Sequence, residues 1–188
     1  MSKKSNPFVL AAVTGLLALA PAFATTSAKS SLKSYDKKFV WTAAGGGMAE
    51  VQLGQLAVQK AANPDVKSFG QRMVDDHSKA NDQLKSLASQ KGAPLPNGLP
   101  SAEKKELAKL SKLSGAAFDR AYMSMMVKEH KKDVSEFAKE SKQAKDSDVK
   151  SFAKSTLPTL RDHLKMAEDT YSKLHKGSHH ATSKKGGA

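Results

Sequence analysis

The chain has 188 residues, a net charge of +13 and no cysteine. Without cysteine there is no disulfide framework and no thiol for lipid attachment, so stability must come from packing or from a bound ion. The positive excess predicts salt-sensitive attraction to anionic partners such as envelope lipid or polysaccharide, and its bland alternative is a solvated surface; nucleic acid is not expected, because no basic helix is interleaved with aromatics.

The first element is an export signal. Lys3 and Lys4 precede an apolar run from Phe8 to Ala20, and Ala22-Phe23-Ala24 supplies the small-x-small pattern that export peptidases cut. The run is about 13 residues, short of the roughly 20 needed to cross a hydrocarbon core, so the expected product is periplasmic or secreted with no transmembrane segment. Loss of Lys3 and Lys4 lowers the net charge from +13 to +11. Residues 25–34 read as a flexible linker, and 35–175 as one domain.

Four amphipathic stretches follow, with no period-two alternation to suggest strands, so the fold class is all-α. The first helix spans about Tyr35 to Ala62 and ends where Asn63-Pro64-Asp65 offers an N-cap, a first-turn proline and an acidic residue for the next helix. The second runs from Pro64 to Lys91 and is stopped by Gly92 and the proline-rich segment 94–100. A short helix from Ser101 to about Leu113 precedes a break at Ser114-Gly115. The third long helix covers Ala116 to about Gln143, and the fourth starts at Asp146-Ser147-Asp148 and ends near His175. Residues 176–188, rich in His, Lys and Gly, read as a disordered basic tail capable of weak metal binding. A six-residue echo links Asp65–Gly70 (DVKSFG) to Asp148–Ala153 (DVKSFA). Two related hairpins make a four-helix bundle, although the shared demands of a helix start also account for so short a match.

Polar residues interrupt the apolar stripes once per long helix. Val66, Phe69, Met73, His77, Ala80, Leu84 and Leu87 step by three or four, so His77 points where the core residues point. His130 takes the same place among Tyr122, Met126, Val134 and Phe137, and His163 among Phe152, Thr156, Leu160 and Ala167. Glu50 does so among Phe39, Ala43, Leu53 and Ala57. Glu50 and His77 lie roughly 13 and 14 residues either side of Asn63, and His130 and His163 roughly 17 and 16 either side of Ser147, so in an antiparallel bundle all four sit near mid-height.

Three imidazoles and a carboxylate at one level suit a mononuclear Zn²⁺, Cu²⁺ or Fe²⁺ centre, with Asp76, Glu129, Asp133 and Asp162 as orienting groups or an extra ligand. Two other readings are a buried hydrogen-bonded layer without metal, and histidines at helix edges that do not converge. Met73, Met126 and Met166 beside the histidines suit copper, or simply fill an irregular core. Pro158 should kink the last helix before His163. Gly45-Gly46-Gly47 costs roughly 1 kcal/mol per glycine in a helix, which points to close helix approach, a local bulge or a break.

The stretches Ala43–Ala57 (AAGGGMAEVQLGQLA), Asn63–Leu84 (NPDVKSFGQRMVDDHSKANDQL), Phe118–Phe137 (FDRAYMSMMVKEHKKDVSEF) and Thr156–Ala167 (TLPTLRDHLKMA) resemble a family of exported bacterial proteins known as domain of unknown function four-one-four-two. Members are often labelled outer membrane proteins. The resemblance implies a ferritin-like antiparallel four-helix bundle with an extra short helix between the second and third long helices, an envelope location and no established reaction. Its polar positions fall on Glu50, His77, His130 and His163. Di-iron members of the wider fold carry Glu-x-x-His motifs, whereas here Val74, Val127 and Leu160 stand three residues before the histidines, so a ferroxidase centre is not implied. The expected protein binds one transition-metal ion in the bundle core for metal handling or envelope stress. Its alternatives are a module docking its basic surface on anionic envelope components, and a metal-dependent oxidase or hydrolase, for which no nucleophile–base pair or substrate cleft is legible.

Overall fold

Local capping sets the ends of each helix. The structure, a computed structural model, describes residues 32–183, with side chains to residue 176. The expected export signal and most of the expected linker therefore lie outside the described residues, as do residues 184–188. Helix α1 is Ser34–Lys60, α2 Pro64–Lys91, α3 Ser101–Ser111, α4 Gly115–Gln143 and α5 Ser147–Ser183. At the start of α2 the Asn63 side chain accepts from the Asp65 N–H at 2.8 Å, and Pro64 occupies a position whose N–H would be unpaired anyway. Gly92 ends α2 in the left-handed region, φ 61°.

Two expected boundaries move. Leu32, within the predicted linker, is buried against the α4–α5 end of the core. Helix α5 runs to Ser183 instead of stopping near His175. Low apolar content marks residues after 175 as tail, but adding residues to a helix already nucleated is far less costly than starting one, and no proline interrupts it there. Pro158 lies within the continuous α5, and α1 continues through its three glycines.

Helices α1 and α2 pack most extensively on each other, as do α4 and α5; α2 against α5 and α1 against α4 close the antiparallel ring, while α3 lies across α1 and α4. Contact between α1 and α2 is close enough that a Cβ at Gly54 would stand 2.6 Å from the Gly70 carbonyl oxygen. Apolar burial falls into two clusters. One, around Phe69, Met73, Phe118, Tyr122 and Met126, lies at the α1–α2 turn; the other, around Val40, Leu84, Phe137, Phe152 and Leu160, lies at the α4–α5 turn. His77, His130 and His163 fall between them in sequence on each helix.

The six-residue echo extends through both hairpins. Asp36, in the first turn of α1, accepts from the backbone N–H groups of Lys145 and Asp146 at the α4–α5 turn, at 2.8–3.2 Å. Asp119, in the first turns of α4, accepts from those of Ala62 and Asn63 at the α1–α2 turn, at 3.1 and 2.9 Å. Asp146 caps α5 through the Asp148 N–H at 2.9 Å, as Asn63 caps α2. Asp36 and Asp119, Asn63 and Asp146, and Glu50 and Asp133 are each separated by the interval between Asp65 and Asp148. Matching roles at matching intervals favour two related hairpins over chance likeness of two helix starts.

Candidate metal centre

The histidines occupy inward positions on three different helices, and the described structure brings their rings together. Ring centroids lie 5.8 Å apart for His77 and His130, and 5.3 Å for His163 with each of the others. One ligating nitrogen from each lies within 4.8 Å of those of the other two. His130 is 0% exposed, His163 1% and His77 8%.

Their outer nitrogens explain which inner atoms are free. His130 Nδ1 donates to the Met126 carbonyl at 3.0 Å, because a carbonyl only accepts, and this leaves a lone pair on Nε2. His163 Nε2 donates to the Asp76 carboxylate at 2.9 Å, which leaves the lone pair on Nδ1. His130 Nε2, His163 Nδ1 and His77 Nε2 are buried and meet no hydrogen-bond partner among the described residues. Each such orphan costs about 1–3 kcal/mol, and a cation shared by all three would offset that cost. Binding one ring nitrogen to a carboxylate or carbonyl while the other is left bare is how metal-ligating histidines are held.

Electrostatics keeps the rings neutral and ready to ligate. Burial lowers the His77 pKa to about 3, with the charges of His130 and His163 adding to the effect. Burial and His163 lower His130 to about 4, opposed by the Met126 carbonyl. Burial also lowers His163, against the pull of Asp76. Asp76 itself would be raised by burial, but hydrogen bonds from Arg72 and His163 outweigh this and hold it below the ordinary carboxylate value.

The four residues expected to surround the histidines divide. Asp76 accepts the hydrogen bond from His163. Asp162 is exposed and makes no hydrogen bond to an imidazole among the described residues, since its step along α5 turns it outward. Glu129 and Asp133 line a cavity beside the cluster, which His77 also borders.

Glu50 is buried and borders the same cavity, and the group of converging ligand atoms comprises the three histidines without it. Helical phase and height place a side chain within a cross-section without fixing its position across it, and α1 presents Glu50 to Asp133 and Glu129 of α4. Burial, then the charges of Asp133 and Glu129, push the Glu50 carboxyl well above its usual range. Burial raises Asp133 to about 7, with Glu136 and Glu129 adding and Lys132 opposing.

Sequence reasoning read no cleft, but the described structure holds a cavity of about 260 Å³ bounded by all five helices. The three glycines help to shape it. A Cβ at Gly45 would lie 2.8 Å from Pro100 and one at Gly47 2.1 Å from Asn81, whereas one at Gly46 meets nothing within 4 Å and opens on the cavity. They are thus close-approach positions and a cavity wall in an unbroken helix.

Residues 21–170 match the family described as Domain of unknown function (DUF4142). The chain belongs to this family. No curated protein matches the sequence. Among solved structures, a crystal structure of a DUF305 fragment from Deinococcus radiodurans is similar with a TM-score of 0.67 at 15% identity, covering 76% of this chain and 99% of that one. CopM in the Cu(II)-bound form is similar with a TM-score of 0.63 at 17% identity, covering 73% of this chain and 96% of that one. At these identities the likeness shows the shared helical-bundle fold. No described helix is long and apolar enough to cross a membrane.

Proposed function

We propose that this protein binds one transition-metal ion, copper ahead of zinc, through His77, His130 and His163, and serves metal handling outside the cytoplasm without catalysing a reaction. The observation that carries this reading is the convergence of three buried imidazoles, each of which has a buried ring nitrogen without a hydrogen-bond partner among the described residues. Three neutral nitrogens suit Cu²⁺ and Zn²⁺, and nitrogen donors hold copper more tightly than zinc in the usual order of divalent affinities. The fold shared with a protein solved in a Cu(II)-bound form supports the choice of copper. Iron, expected alongside copper and zinc, is less favoured because the converging group consists of imidazoles alone. The signal-like segment supports export, and cleavage after Ala24 is the expected maturation.

The test uses untagged protein with His179 and His180 replaced by alanine, so that the tail contributes no binding. Titration with Cu²⁺ should saturate at one ion per chain, with nitrogen hyperfine structure in the electron paramagnetic resonance spectrum. His130→Leu should abolish that binding while the protein stays folded, because an apolar side chain replaces a buried group with an unpaired atom. Absence of stoichiometric metal, or a folded His130→Leu protein that binds as before, would overturn the proposal.

A further inference from the structure

The imidazole cluster is nearly closed to water, and its residual exposure belongs to His77, at 8% against 0% and 1% for the other two. His77 is also the member of the three that lines the 260 Å³ cavity. The cavity is acidic in a strongly basic chain: Glu50, Glu103, Glu106, Glu129, Asp133 and Glu136 line it, against Lys128 and Lys132. Two observations mark it as a place for a cation rather than a solvated acidic patch. Glu50 is 4% exposed, and its Oε2 meets no hydrogen-bond partner among the described residues. His77 Nε2, likewise unpartnered, belongs to a ring that borders both the cavity and the other two histidines.

We propose that this cavity is a carboxylate antechamber that takes up a hydrated divalent cation and passes it to His77 and the imidazole cluster. The inference rests on the metal-binding reading above and adds the route. Carboxylate oxygens replace the water ligands of an incoming divalent ion one at a time, so Asp133 and Glu129 on α4 and Glu50 on α1 receive it without complete dehydration. Six carboxyl groups against two lysines favour cations locally over the long-range repulsion of the whole chain, and an arriving ion displaces the proton that burial favours on Glu50. Softer imidazole nitrogens then hold copper or zinc more firmly than carboxylates do, which gives the transfer its direction. Gly46 keeps the passage open, because a side chain there would project into empty space.

Stopped-flow uptake of Cu²⁺ and its removal by a chelator test the route. Gly46→Leu places a side chain in the cavity and improves the helix propensity of α1. It should slow uptake and chelator-driven release by comparable factors, roughly tenfold or more, the signature of an obstructed path. A variant that merely disturbed the ligands would release faster instead. Glu50→Gln with Asp133→Asn leaves the cavity's shape almost unchanged and should slow uptake by a factor that shrinks as salt is added; it also stands in should Gly46→Leu fail to fold. Wild-type rates in a folded Gly46→Leu protein, or in the carboxamide double variant, would overturn the antechamber while leaving the metal centre intact. If wild-type protein takes up no Cu²⁺, both readings fall.

Discussion

Asp133 shows how one side chain carries the strain of a site. Glu129, Lys132 and Glu136 surround it on α4, Glu50 faces it from α1, and Glu103 and Glu106 of α3 and His77 of α2 share its cavity. Burial raises its folded pKa to about 7 from an ordinary 3.8. A carboxyl raised in the folded state is more stable there when protonated, so its contribution is whole below about pH 4 and is lost as pH rises through about 7. Asp133→Asn cannot ionise and escapes that loss. The metal-free variant should therefore melt higher than wild type at pH 8, by roughly 3–6 °C for about 1–2 kcal/mol, water in the cavity screening part of the cost. The difference should vanish near pH 4, and paired melting curves across that range would show it. An equal gain at both pH values would mean that the charge is not the cause.

At the scale of helices, the two hairpins are fastened by exchanged caps. Asp36 leaves α1 to bind the α4–α5 turn, and Asp119 leaves α4 to bind the α1–α2 turn, so each hairpin closes the other's end. Alanine at either position leaves two backbone N–H groups without their charged acceptor and should cost about 1–3 kcal/mol by denaturant unfolding. Because α1 and α4 are antiparallel, the caps lie at opposite ends of the bundle, and the double variant should show the sum of the two losses. A double variant no worse than either single one would show that only one end governs unfolding. Helix starts and stops were largely legible in the sequence because Asn63, Pro64 and Gly92 act through their own backbone neighbours. The inward phase of His77, His130 and His163 was legible for the same reason, since 3.6-residue periodicity is local. The caps of Asp36 and Asp119 span more than fifty residues, the approach of Gly54 to Gly70 depends on interhelical distance, and the closeness of Glu50 to Asp133 and Glu129 depends on where α1 sits across the ring. None of those quantities is written in a local pattern.

Across the whole molecule, the histidine layer divides one bundle into two apolar halves. Each half has its own buried cluster and its own turn, so the cross-section between them is where packing contributes least and unpaired nitrogens cost most. An ion held by His77, His130 and His163 would tie α2, α4 and α5 together at that section, a stabilisation that grows with the ratio of free ion to dissociation constant, about 2.7 kcal/mol at a hundredfold excess. That gain should not be uniform along the helices. Amide hydrogen exchange measured with one equivalent of Cu²⁺ and then with chelator should show the largest change in protection within about one turn of the three histidines. Smaller changes are expected at the α1–α2 and α4–α5 turns, where Asp119 and Asp36 already hold the backbone. The full-chain melting temperature should fall on chelation in step with the central loss of protection. If protection changes instead at the helix ends, or only in α5 beyond His175, the ion is bound somewhere other than the middle of the bundle, and the division of the core into two halves is not what the metal repairs.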